Sequence, residues 1–417
     1  MSYMKILWIC NRMLTCILEK EKKPVGISGG WMDGLYAVLK NDPQIELTVL
    51  AKCAYHLDSK IEDTRYCSFN DDNCRSIVKR IISEQNPDII QIFGTEYKHS
   101  YEAVRACEEA GVINRTVITI QGMVSVIGKY HYDGGIPEYV KYGYSIKDFI
   151  RRNNINSQIK DFQKRGIYEI EAIKKVKYIM GRTDWDEACT RQINPEAKYF
   201  HCDEMLRESF YDGCWCEDKC EKHTVFSSQY AYPLKGFHWL VEAISIVRQF
   251  YPDVKVYVPG KNILRDDFKS RLSLSYYDKY VVKLIRKYGV ERNISFLGQL
   301  GEQEMYDRYL KANVFVSASS IENSSNSVSE AMLLGVPTVS SDVGGIKSLL
   351  VHGEEGFLYQ YNAPYMLAEC ICRIFGDTSL AQKFSEAARK HAGITHNKEI
   401  IVGDLINIYK EIQNGGK

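Results

Sequence analysis

The chain has 417 residues, of which 54 are lysine or arginine and 53 are aspartate or glutamate, so its formal net charge is +1. With 45% hydrophobic and 26% charged residues, its composition is that of a folded protein and excludes a disordered, collagenous or coiled-coil chain. The near-zero charge argues against a general nucleic-acid binder, and the length predicts two or three domains.

Thirteen cysteines are scattered from Cys10 to Cys372, unlike the clustered, even-numbered cysteines of a small disulfide framework. They predict reduced thiols and a cytoplasmic location. Residues 1–16 lack a signal-peptide pattern. No window approaches the run of about 18 apolar residues that a membrane-spanning helix needs.

Short apolar runs alternate with helical patterns along the whole chain. Runs that are apolar nearly throughout are typical of strands buried on both faces of a parallel sheet. The predicted strands are 5–10, 45–50, 88–93, 116–120 and 178–181 in the first half, and 224–227, 255–258, 294–297, 314–317 and 338–340 in the second. This alternation predicts an α/β fold with two doubly wound, Rossmann-like domains that face each other across a cleft.

The alternation breaks between residues 201 and 223, a stretch rich in aspartate, glutamate and cysteine. We therefore predict a first domain over 1–205 and a second over 206–396, with the final helix, 397–417, packing back on the first. Ligands bind outside the carboxyl ends of the strands in such sheets. Functional residues are accordingly expected just after strands.

Glycines open the first long helical pattern. Gly29 and Gly30 precede Trp31, and glycines at such a place allow a phosphate or a sugar to approach the backbone closely. The spacing differs from Gly-x-Gly-x-x-Gly, so a dinucleotide fingerprint is not expected. A plain turn is the alternative interpretation.

Polar residues follow three other strands of the first half. Because the carboxyl ends of parallel strands meet at one edge of a sheet, these residues are candidates for contacts with a ligand. They are Glu96, Gln121 with Gly122, and Arg182.

The segment 139–178 is strongly basic although the whole chain is neutral. It carries ten basic and four acidic residues, a net charge of +6, with apolar residues interleaved at roughly helical spacing. A basic amphipathic helix of this kind can lie on an anionic membrane surface. The alternative is a solvated helix that packs its apolar stripe onto its own domain.

A cysteine and histidine cluster lies in the predicted linker, with Cys214, Cys216, Cys220 and His223. These residue types can bind zinc, but the spacing is irregular and lacks the two paired knuckles of a structural zinc site. Packing is the favoured interpretation, and we predict no metal.

Lys235 stands just before the helical pattern that follows the first strand of the second half. A lysine at a helix start can reach a diphosphate as a point charge. Ser228, directly after the strand, is a second candidate for a contact with a ligand. A solvated lysine at a helix end is the alternative for Lys235.

The loop after strand 314–317 is rich in small hydroxyl and amide residues and is flanked by two carboxylates, Glu322 and Glu330. Either Asn326 or Ser327 could cap the helix that follows. The start of that helix offers unpaired N–H groups and a positive dipole end for an anion. The two carboxylates could bracket one ligand, with one on a sugar and the other on a ribose.

Glu322 and Glu330, eight residues apart and followed by Ala-Met and Gly-Val-Pro, form a pattern that resembles the signature of family 4 glycosyltransferases, which have the GT-B fold. The resemblance implies that Glu322 contacts donor-sugar hydroxyls and Glu330 the nucleotide ribose. It implies that Lys235 neutralises the leaving diphosphate. The helix start at Asn326, Ser327 and Val328 and the Gly29–Gly30 loop would also contact the donor. The polar candidates of the first half, Glu96, Gln121 with Gly122, and Arg182, would contact the acceptor or the sugar.

The resemblance implies a retaining glycosyltransferase that moves a sugar from a nucleotide-diphosphate-sugar to an acceptor hydroxyl without a metal or other cofactor. The family's arginine shortly before the lysine and its histidine at the position of Gln121 are both missing here. Ser228, Gln229 and Arg182 are candidates to replace that arginine.

The acceptor class implied by the resemblance is a surface polysaccharide or a lipid-linked glycan, made by a cytoplasmic enzyme peripheral to the inner face of the membrane. Two alternatives stay open. One is a sugar-nucleotide epimerase of similar architecture, and the other is a catalytically silent binding subunit.

Overall fold

The computed structural model describes residues 3–25 and 30–415, and the chain divides into two compact units. Unit 1 comprises residues 1–126, 163–207 and 396–417, and unit 2 comprises residues 127–162 and 208–395. Each unit is built on a largely parallel sheet with helices, so the predicted α/β fold with two parallel-sheet domains is confirmed.

The strands in the described ranges are, in chain order, β1 (Met4–Cys10), β2 (Ile45–Lys52), β3 (Asp58–Ile61), β4 (Thr64–Phe69), β5 (Ile89–Phe93), β6 (Thr116–Thr119), β7 (Tyr178–Gly181), β8 (Lys198–His201), β9 (Thr224–Phe226), β10 (Lys255–Val258), β11 (Ile294–Phe296), β12 (Val314–Ser317), β13 (Thr338–Ser341) and β14 (Phe357–Tyr359).

The α-helices in the same ranges are α1 (Thr15–Lys20), α2 (Gly30–Leu39), α3 (Cys74–Gln85), α4 (Lys98–Glu109), α5 (Val124–Tyr130), α6 (Glu138–Lys141), α7 (Ile146–Arg151), α8 (Ile155–Lys175), α9 (Asp184–Ile193), α10 (Phe237–Val247), α11 (Phe268–Leu272), α12 (Tyr276–Tyr288), α13 (Glu302–Lys311), α14 (Asn326–Leu334), α15 (Pro364–Gly376), α16 (Thr378–Thr395) and α17 (Lys398–Gly415). None of these helices combines the length and apolar content needed to cross a bilayer.

The sheet of unit 1 has the order β3-β4-β2-β1-β5-β6-β7-β8, parallel except at the β3–β4 hairpin. The central strand β1 is buried on both faces. Ile6 and Trp8 belong to one apolar cluster, whereas Leu7 and Ile9 belong to the cluster on the opposite face. Successive side chains of a strand point to opposite faces. Because both faces of β1 pack against apolar clusters, its sequence is an unbroken apolar run.

The sheet of unit 2 has the order β11-β10-β9-β12-β13-β14, and all of its pairings are parallel. Its strands thus follow the order 3-2-1-4-5-6, the arrangement of a doubly wound nucleotide-binding fold. The order reverses between β9 and β12. At this switch point the connections leave in opposite directions and open a crevice at the carboxyl ends of both strands.

Four strands of the structure are absent from the sequence prediction. The hairpin strand β3 is largely exposed, and the other edge strand of unit 1, β8, has exposed polar residues at both ends, Lys198 and His201. The β4 strand carries Arg65 and Ser68 among its apolar residues, and β14 has only three residues. Short or partly polar strands lack the continuous apolar run on which the prediction depended.

The C-terminal helix α17 lies in unit 1. Its Tyr409 is fully buried, accepts a hydrogen bond from the Trp8 indole N–H at 3.1 Å and donates one to Gln91. Trp8 and Gln91 stand on β1 and β5. The buried hydroxyl therefore ties the last helix to the centre of the sheet, since leaving it unpaired would cost free energy.

Residues 127–162 lie in unit 2, although the sequence prediction included them in a first domain over 1–205. The carbonyl oxygen of Gly134 accepts hydrogen bonds from His238 (2.9 Å), Trp239 (3.1 Å) and Tyr361 (2.6 Å), all of unit 2. Gly134 has φ +59°, and a Cβ there would lie 2.3 Å from the carbonyl oxygen of Pro233. This close approach anchors the segment.

Candidate functional site

The switch point of unit 2 brings two of the predicted residues together. Lys235 follows β9 and Glu322 follows β12, and these strands are neighbours in the sheet. The two side chains are 87 positions apart in the sequence, yet the Lys235 Nζ lies 2.6 Å from the Glu322 Oε1. Crevices at such points are where doubly wound sheets bind their ligands.

A glycine fixes the position of Lys235. The chain makes a short 3-10 turn, Pro233–Lys235, and then reaches Gly236, which has φ +62°. A Cβ on Gly236 would lie 1.8 Å from the carbonyl oxygen of Ala318, at the end of β12. Only glycine tolerates both the left-handed backbone and this approach. Lys235 is therefore held against the end of the neighbouring strand.

The Lys235–Glu322 pair is largely shielded from water. The two side chains are 18% and 15% exposed, and the Ser319 hydroxyl donates a second hydrogen bond to the Glu322 Oε1 at 2.6 Å. Burial lowers the pKa of the Lys235 ammonium, but the Glu322 carboxylate and the Tyr232 hydroxyl together raise it by more, so the pKa lies above its ordinary value. Lys235 is therefore a fixed positive charge at neutral pH.

The loop that carries Glu322 is supported by two glycines that the sequence analysis did not select. Gly345 donates its N–H to the carbonyl oxygen of Glu322 at 3.0 Å. Gly344 has φ +53°, and a Cβ there would lie 2.1 Å from the same oxygen. The signal that could have identified them is the Gly-Gly pair shortly after the predicted strand 338–340, a place where small residues permit close backbone approach.

Helix α14 begins differently from the prediction. Its N-cap is Ser325, which makes no capping hydrogen bond through its side chain, rather than Asn326 or Ser327. Ser325 and Ser327 share a contact of 3.1 Å between their hydroxyls, and the Tyr309 hydroxyl donates to the carbonyl oxygen of Ser327 at 3.0 Å. The backbone N–H groups of a first helical turn have no partners within their own helix, and the macrodipole favours an anion there.

The other donor-side candidates lie around the same edge of the sheet. Glu330 is in α14 and only 6% exposed, so its carboxyl group is available only to a group that enters the protein interior. Val328 is completely buried and can contribute only its backbone to a ligand. Ser228 lies two residues after the end of β9 and is half-buried.

In unit 1, the candidates Gln121 and Arg182 meet at Glu204, which the sequence analysis missed. Arg182 and Glu204 form a buried ion pair, with side chains 3% and 8% exposed, and Gln121 donates to the other carboxylate oxygen. Arg182 also donates to the carbonyl oxygen of Ile120 at 3.4 Å. The charge of Arg182 is therefore largely balanced within unit 1. Glu204 lies just beyond β8, a strand that was not predicted.

Glu96 follows β5 and lies next to this network. Its Oε1 would be 3.6 Å from a Cβ on Gly122, and its buried Oε2 has no hydrogen-bond partner within the described ranges. Burial, with a smaller contribution from the nearby Glu169 carboxylate, raises the pKa of Glu96 to about 7. A half-buried carboxyl group that titrates near neutrality can donate to or accept from a ligand hydroxyl.

Glu169, another residue outside the predictions, has a structural role. Its completely buried carboxylate accepts hydrogen bonds from the backbone N–H groups of Val124 (3.1 Å) and Ser125 (2.9 Å) and from the Thr95 hydroxyl (2.7 Å). It therefore stabilises the start of α5 and holds the loop that carries Glu96.

Of the predicted glycine pair, Gly29 lies outside the described residues and Gly30 is the first residue of α2. A Cβ on Gly30 would lie 2.9 Å from the Cγ of Arg207. Arg207, which the sequence analysis did not select, therefore places its aliphatic stem against the glycine. A basic residue beside the predicted phosphate-facing turn is a cation that the motif alone did not indicate.

The cysteine and histidine cluster of the predicted linker is dispersed in the structure. Cys214 accepts a hydrogen bond from Arg389 at 3.1 Å, whereas the His223 ring lies 2.8 Å from the Asp253 carboxylate and packs on Tyr251. Across residues 3–25 and 30–415, no three histidine, cysteine or acidic side chains are grouped so that they could hold a metal ion.

Comparison with known proteins identifies the same part of the chain. The family model of the group 1 glycosyl transferases matches residues 217–391, which include Lys235, Glu322 and Glu330. An uncharacterised glycosyltransferase of Bacillus subtilis, YqgM, is 25% identical over 190 residues, which is 46% of this chain and 49% of that protein. The chain spans about half the length of the curated relatives it matches first.

Solved structures resemble the chain over nearly its whole length. Sucrose-phosphate synthase from Thermosynechococcus elongatus superimposes with a TM-score of 0.69 at 15% identity, covering 98% of this chain and 99% of that one. Anabaena HepE in complex with UDP-glucose gives a TM-score of 0.67 at 15% identity, covering 98% and 100%. At this level of identity the likeness concerns the fold, and the fold is GT-B.

Proposed function

We propose, on the premise that residues 217–391 match the family model of the group 1 glycosyl transferases, that the chain transfers a sugar from a nucleotide-diphosphate-sugar to an acceptor hydroxyl with retention of anomeric configuration. The observation that carries the proposal is the meeting of Lys235 and Glu322, 2.6 Å apart, at the switch point of unit 2. The Lys235 ammonium suits a diphosphate, and the Glu322 carboxylate suits sugar hydroxyls.

In the proposed reaction, the bond between the sugar C1 and the diphosphate oxygen breaks, and the acceptor oxygen bonds to C1 on the same face. The acceptor proton passes to an oxygen of the leaving diphosphate. The Lys235 ammonium and the start of α14 stabilise the charge that develops on the diphosphate. Such preorganised contacts are often the largest catalytic contribution, and the loss of one costs about 2.7–4 kcal/mol of transition-state stabilisation.

Donor binding requires an exchange of partners. In the structure, Lys235 is paired with Glu322, and the Ser319 hydroxyl donates to the same carboxylate oxygen. Phosphate oxygens would take over the ammonium, while sugar hydroxyls would donate to the released carboxylate. Each buried charge would then keep a partner throughout, which avoids the cost of an unpaired charge. The fixed lysine charge also supports a reaction that uses no metal cofactor.

We assign the acceptor to the polar groups of unit 1. Glu96 and Gln121 follow adjacent strands, and the buried Oε2 of Glu96 has no partner within the described ranges. These groups would accept from and donate to the hydroxyls of a glycan. A lipid-linked or growing surface glycan is the proposed acceptor class, consistent with a cytoplasmic enzyme at the inner face of a membrane.

A donor-binding assay tests the first half of the proposal. In a thermal-shift series with ADP, GDP and UDP and their glucose derivatives, the nucleotides of one base should stabilise the protein. The free energy of unfolding should rise by about 2.7 kcal/mol at a ligand concentration 100 times the dissociation constant. Uridine donors are the first choice because the similar HepE structure contains UDP-glucose. Stabilisation should be lost in Lys235→Ala and kept in Lys383→Ala, which changes an exposed lysine of α16.

Product analysis tests the second half. Incubation with the selected donor and a mixture of glycan and lipid-linked acceptors should yield a new glycoside and a nucleoside diphosphate, and Glu322→Gln should abolish both. Isomerisation of the donor sugar without glycoside would indicate the epimerase alternative. Donor binding with no turnover across the acceptor panel would favour a silent binding subunit. Turnover that is unchanged in Lys235→Ala and Glu322→Gln would refute the assignment.

A further inference from the structure

Helix α7 presents its apolar residues to solvent. Phe149 and Ile150 are each 75% exposed and Ile146 is 54% exposed, whereas Asp148 of the same helix is only 4% exposed. This distribution is the reverse of that in a helix packed on its own domain, where the apolar face is buried. A contiguous exposed apolar surface of this kind marks an interaction site.

Polar anchors hold α7 in this orientation. The Asp148 carboxylate accepts the backbone N–H of Ser145 at 3.1 Å and that of Tyr276 at 2.7 Å. The Asn154 side chain donates to the carbonyl oxygens of Tyr142 (3.4 Å) and Gly143 (3.3 Å) and so secures the loop before the helix. The buried side of α7 is thus fixed by hydrogen bonds, and the outward display of its apolar residues is part of the fold.

The surroundings of this apolar surface are basic and aromatic. Arg151 and Arg152 follow directly, both are exposed, and neither pairs with a carboxylate in the described part of the chain. Tyr142 and Tyr144 are 54% and 52% exposed. Residues 139–160 contain five basic residues and only one acidic residue, the buried Asp148. Lys141 and Lys147 are paired with Glu138 and Asp278, so the unpaired charge beside the apolar residues is that of Arg151 and Arg152.

We propose that the surface formed by residues 139–152, here called the docking tip, binds an anionic phospholipid bilayer, with Phe149 and Ile150 inserted among the acyl chains and Arg151 and Arg152 on the lipid phosphates. Two features favour lipid over a protein partner or a second copy of the chain. Exposed tyrosines lie close to the apolar residues, as at membrane interfaces, and the charge of Arg151 and Arg152 complements an anionic headgroup layer.

The structure corrects the simpler idea of one basic amphipathic helix over 139–178. That segment is interrupted at residues 152–154, and in α8 the apolar Ile155 and Ile159 are buried, 5% and 9% exposed. Its second part, from residue 163, belongs to unit 1. Ile167 of α8 is 63% exposed but lies in unit 1, apart from the exposed apolar residues of α7, so the proposal concerns the part before the interruption.

The docking tip is connected to the loops of the proposed donor site. Residues 127–162 are anchored to unit 2 at Gly134, and the Ser320 hydroxyl donates to the carbonyl oxygen of His131 at 2.8 Å. The Ser320 N–H donates to the carbonyl oxygen of Leu234, next to Lys235. Bilayer binding at the tip would therefore hold the proposed donor site at the membrane surface. Lipid binding itself does not depend on the proposed catalysis.

Vesicle sedimentation of the full-length protein tests the proposal, with vesicles of phosphatidylcholine alone and with 30% phosphatidylglycerol. We expect binding to the anionic vesicles that weakens as salt is raised, because the headgroup attraction is screened. Arg151→Gln/Arg152→Gln should lower the partition coefficient about 25-fold, since each basic residue contributes about fivefold near such a surface. Phe149→Ser/Ile150→Ser should lower it at least tenfold.

Matched controls separate the docking tip from general effects. Lys383→Gln/Lys390→Gln removes the same charge from α16, and Phe250→Ser removes an aromatic side chain that is 69% exposed elsewhere in unit 2. Both should leave binding unchanged. Circular dichroism and thermal unfolding should show that all variants fold, since every altered side chain is exposed.

Three results would overturn the proposal: no binding to either vesicle type, equal losses in the controls and in the tip variants, or a tip-dependent dimer in light scattering without vesicle binding. Donor-induced thermal shifts, measured without lipid, are expected to be the same in the tip variants and in the wild-type protein. Failure of the lipid proposal is therefore distinguishable from failure of the proposed glycosyl transfer.

Discussion

The coupling between Lys235 and Glu322 can be measured by a double-mutant cycle, with Lys235→Met, Glu322→Gln and the combined variant. At 2.6 Å and an effective dielectric constant of about 20, the gross attraction is on the order of 6 kcal/mol, most of it offset by desolvation. Removing one partner of a fully buried pair costs about 3–5 kcal/mol. The side chains here keep 18% and 15% of their exposure, so each single variant should lose roughly 2–4 kcal/mol, with a coupling of roughly 1–3 kcal/mol.

Unfolding of unit 2 should be followed by hydrogen exchange of its peptides across a urea series at pH 7.5, because chains with more than one folding unit commonly depart from two-state behaviour. The combined variant should be less destabilised than the sum of the single variants, because it leaves no unpaired charge. Lys235 is protonated at this pH, since its pKa lies above the ordinary value.

An exposed pair of the same chemistry serves as the control. Lys347 and Asp342 lie 3.1 Å apart, with side chains 69% and 37% exposed. Their cycle should give less than about 1 kcal/mol. A Lys235–Glu322 coupling no larger than that of the control would refute the argument that burial makes this pair strong, and with it the idea that donor binding must replace both partners.

Three further predictions concern the neighbouring features. Gly236→Ala should destabilise unit 2 by several kcal/mol and remove the donor-induced thermal shift, because it places a Cβ 1.8 Å from the carbonyl oxygen of Ala318 at φ +62°; full retention of the shift would contradict this. The folded-state pKa of Glu96 is raised to about 7, so folding takes up a proton and the free energy of unfolding falls as pH rises from about 4.5 to 7. In chemical denaturation this fall should be seen in the wild-type protein and be absent in Glu96→Gln. Arg182→Met should lower the stability of unit 1 by roughly 3–5 kcal/mol by leaving Glu204 buried without its cation, and Arg182→Met/Glu204→Gln should recover part of that loss.

The strands at the centres of both sheets could be predicted because burial on both faces gives an unbroken apolar run. The run that contains Ile6, Trp8 and Leu7 is an example, since its residues contact clusters on opposite sides of the sheet. The edge strands β3 and β8 face water on part of their surface and carry no such run. The order of strands, and hence the switch point, is a property of tertiary pairing that local pattern does not encode.

The candidate donor-site residues could also be predicted from the sequence. Lys235 and Glu322 each follow a predicted strand, and the glutamate spacing resembles a known family. The ion pair between them could not be predicted from local sequence, because it joins side chains 87 residues apart. The same limitation applies to Glu204, which neutralises Arg182 from beyond an unpredicted strand.

The basic segment shows most clearly where local pattern ends and tertiary structure begins. Composition reveals its charge, and spacing reveals its apolar residues, since both are properties of consecutive positions. Which of those residues face water depends on partners distant in the sequence: Tyr276 holds Asp148 inward, and Phe149 and Ile150 consequently point outward. Exposure is set by long-range hydrogen bonds and packing, so only the folded chain distinguishes a docking surface from a buried stripe.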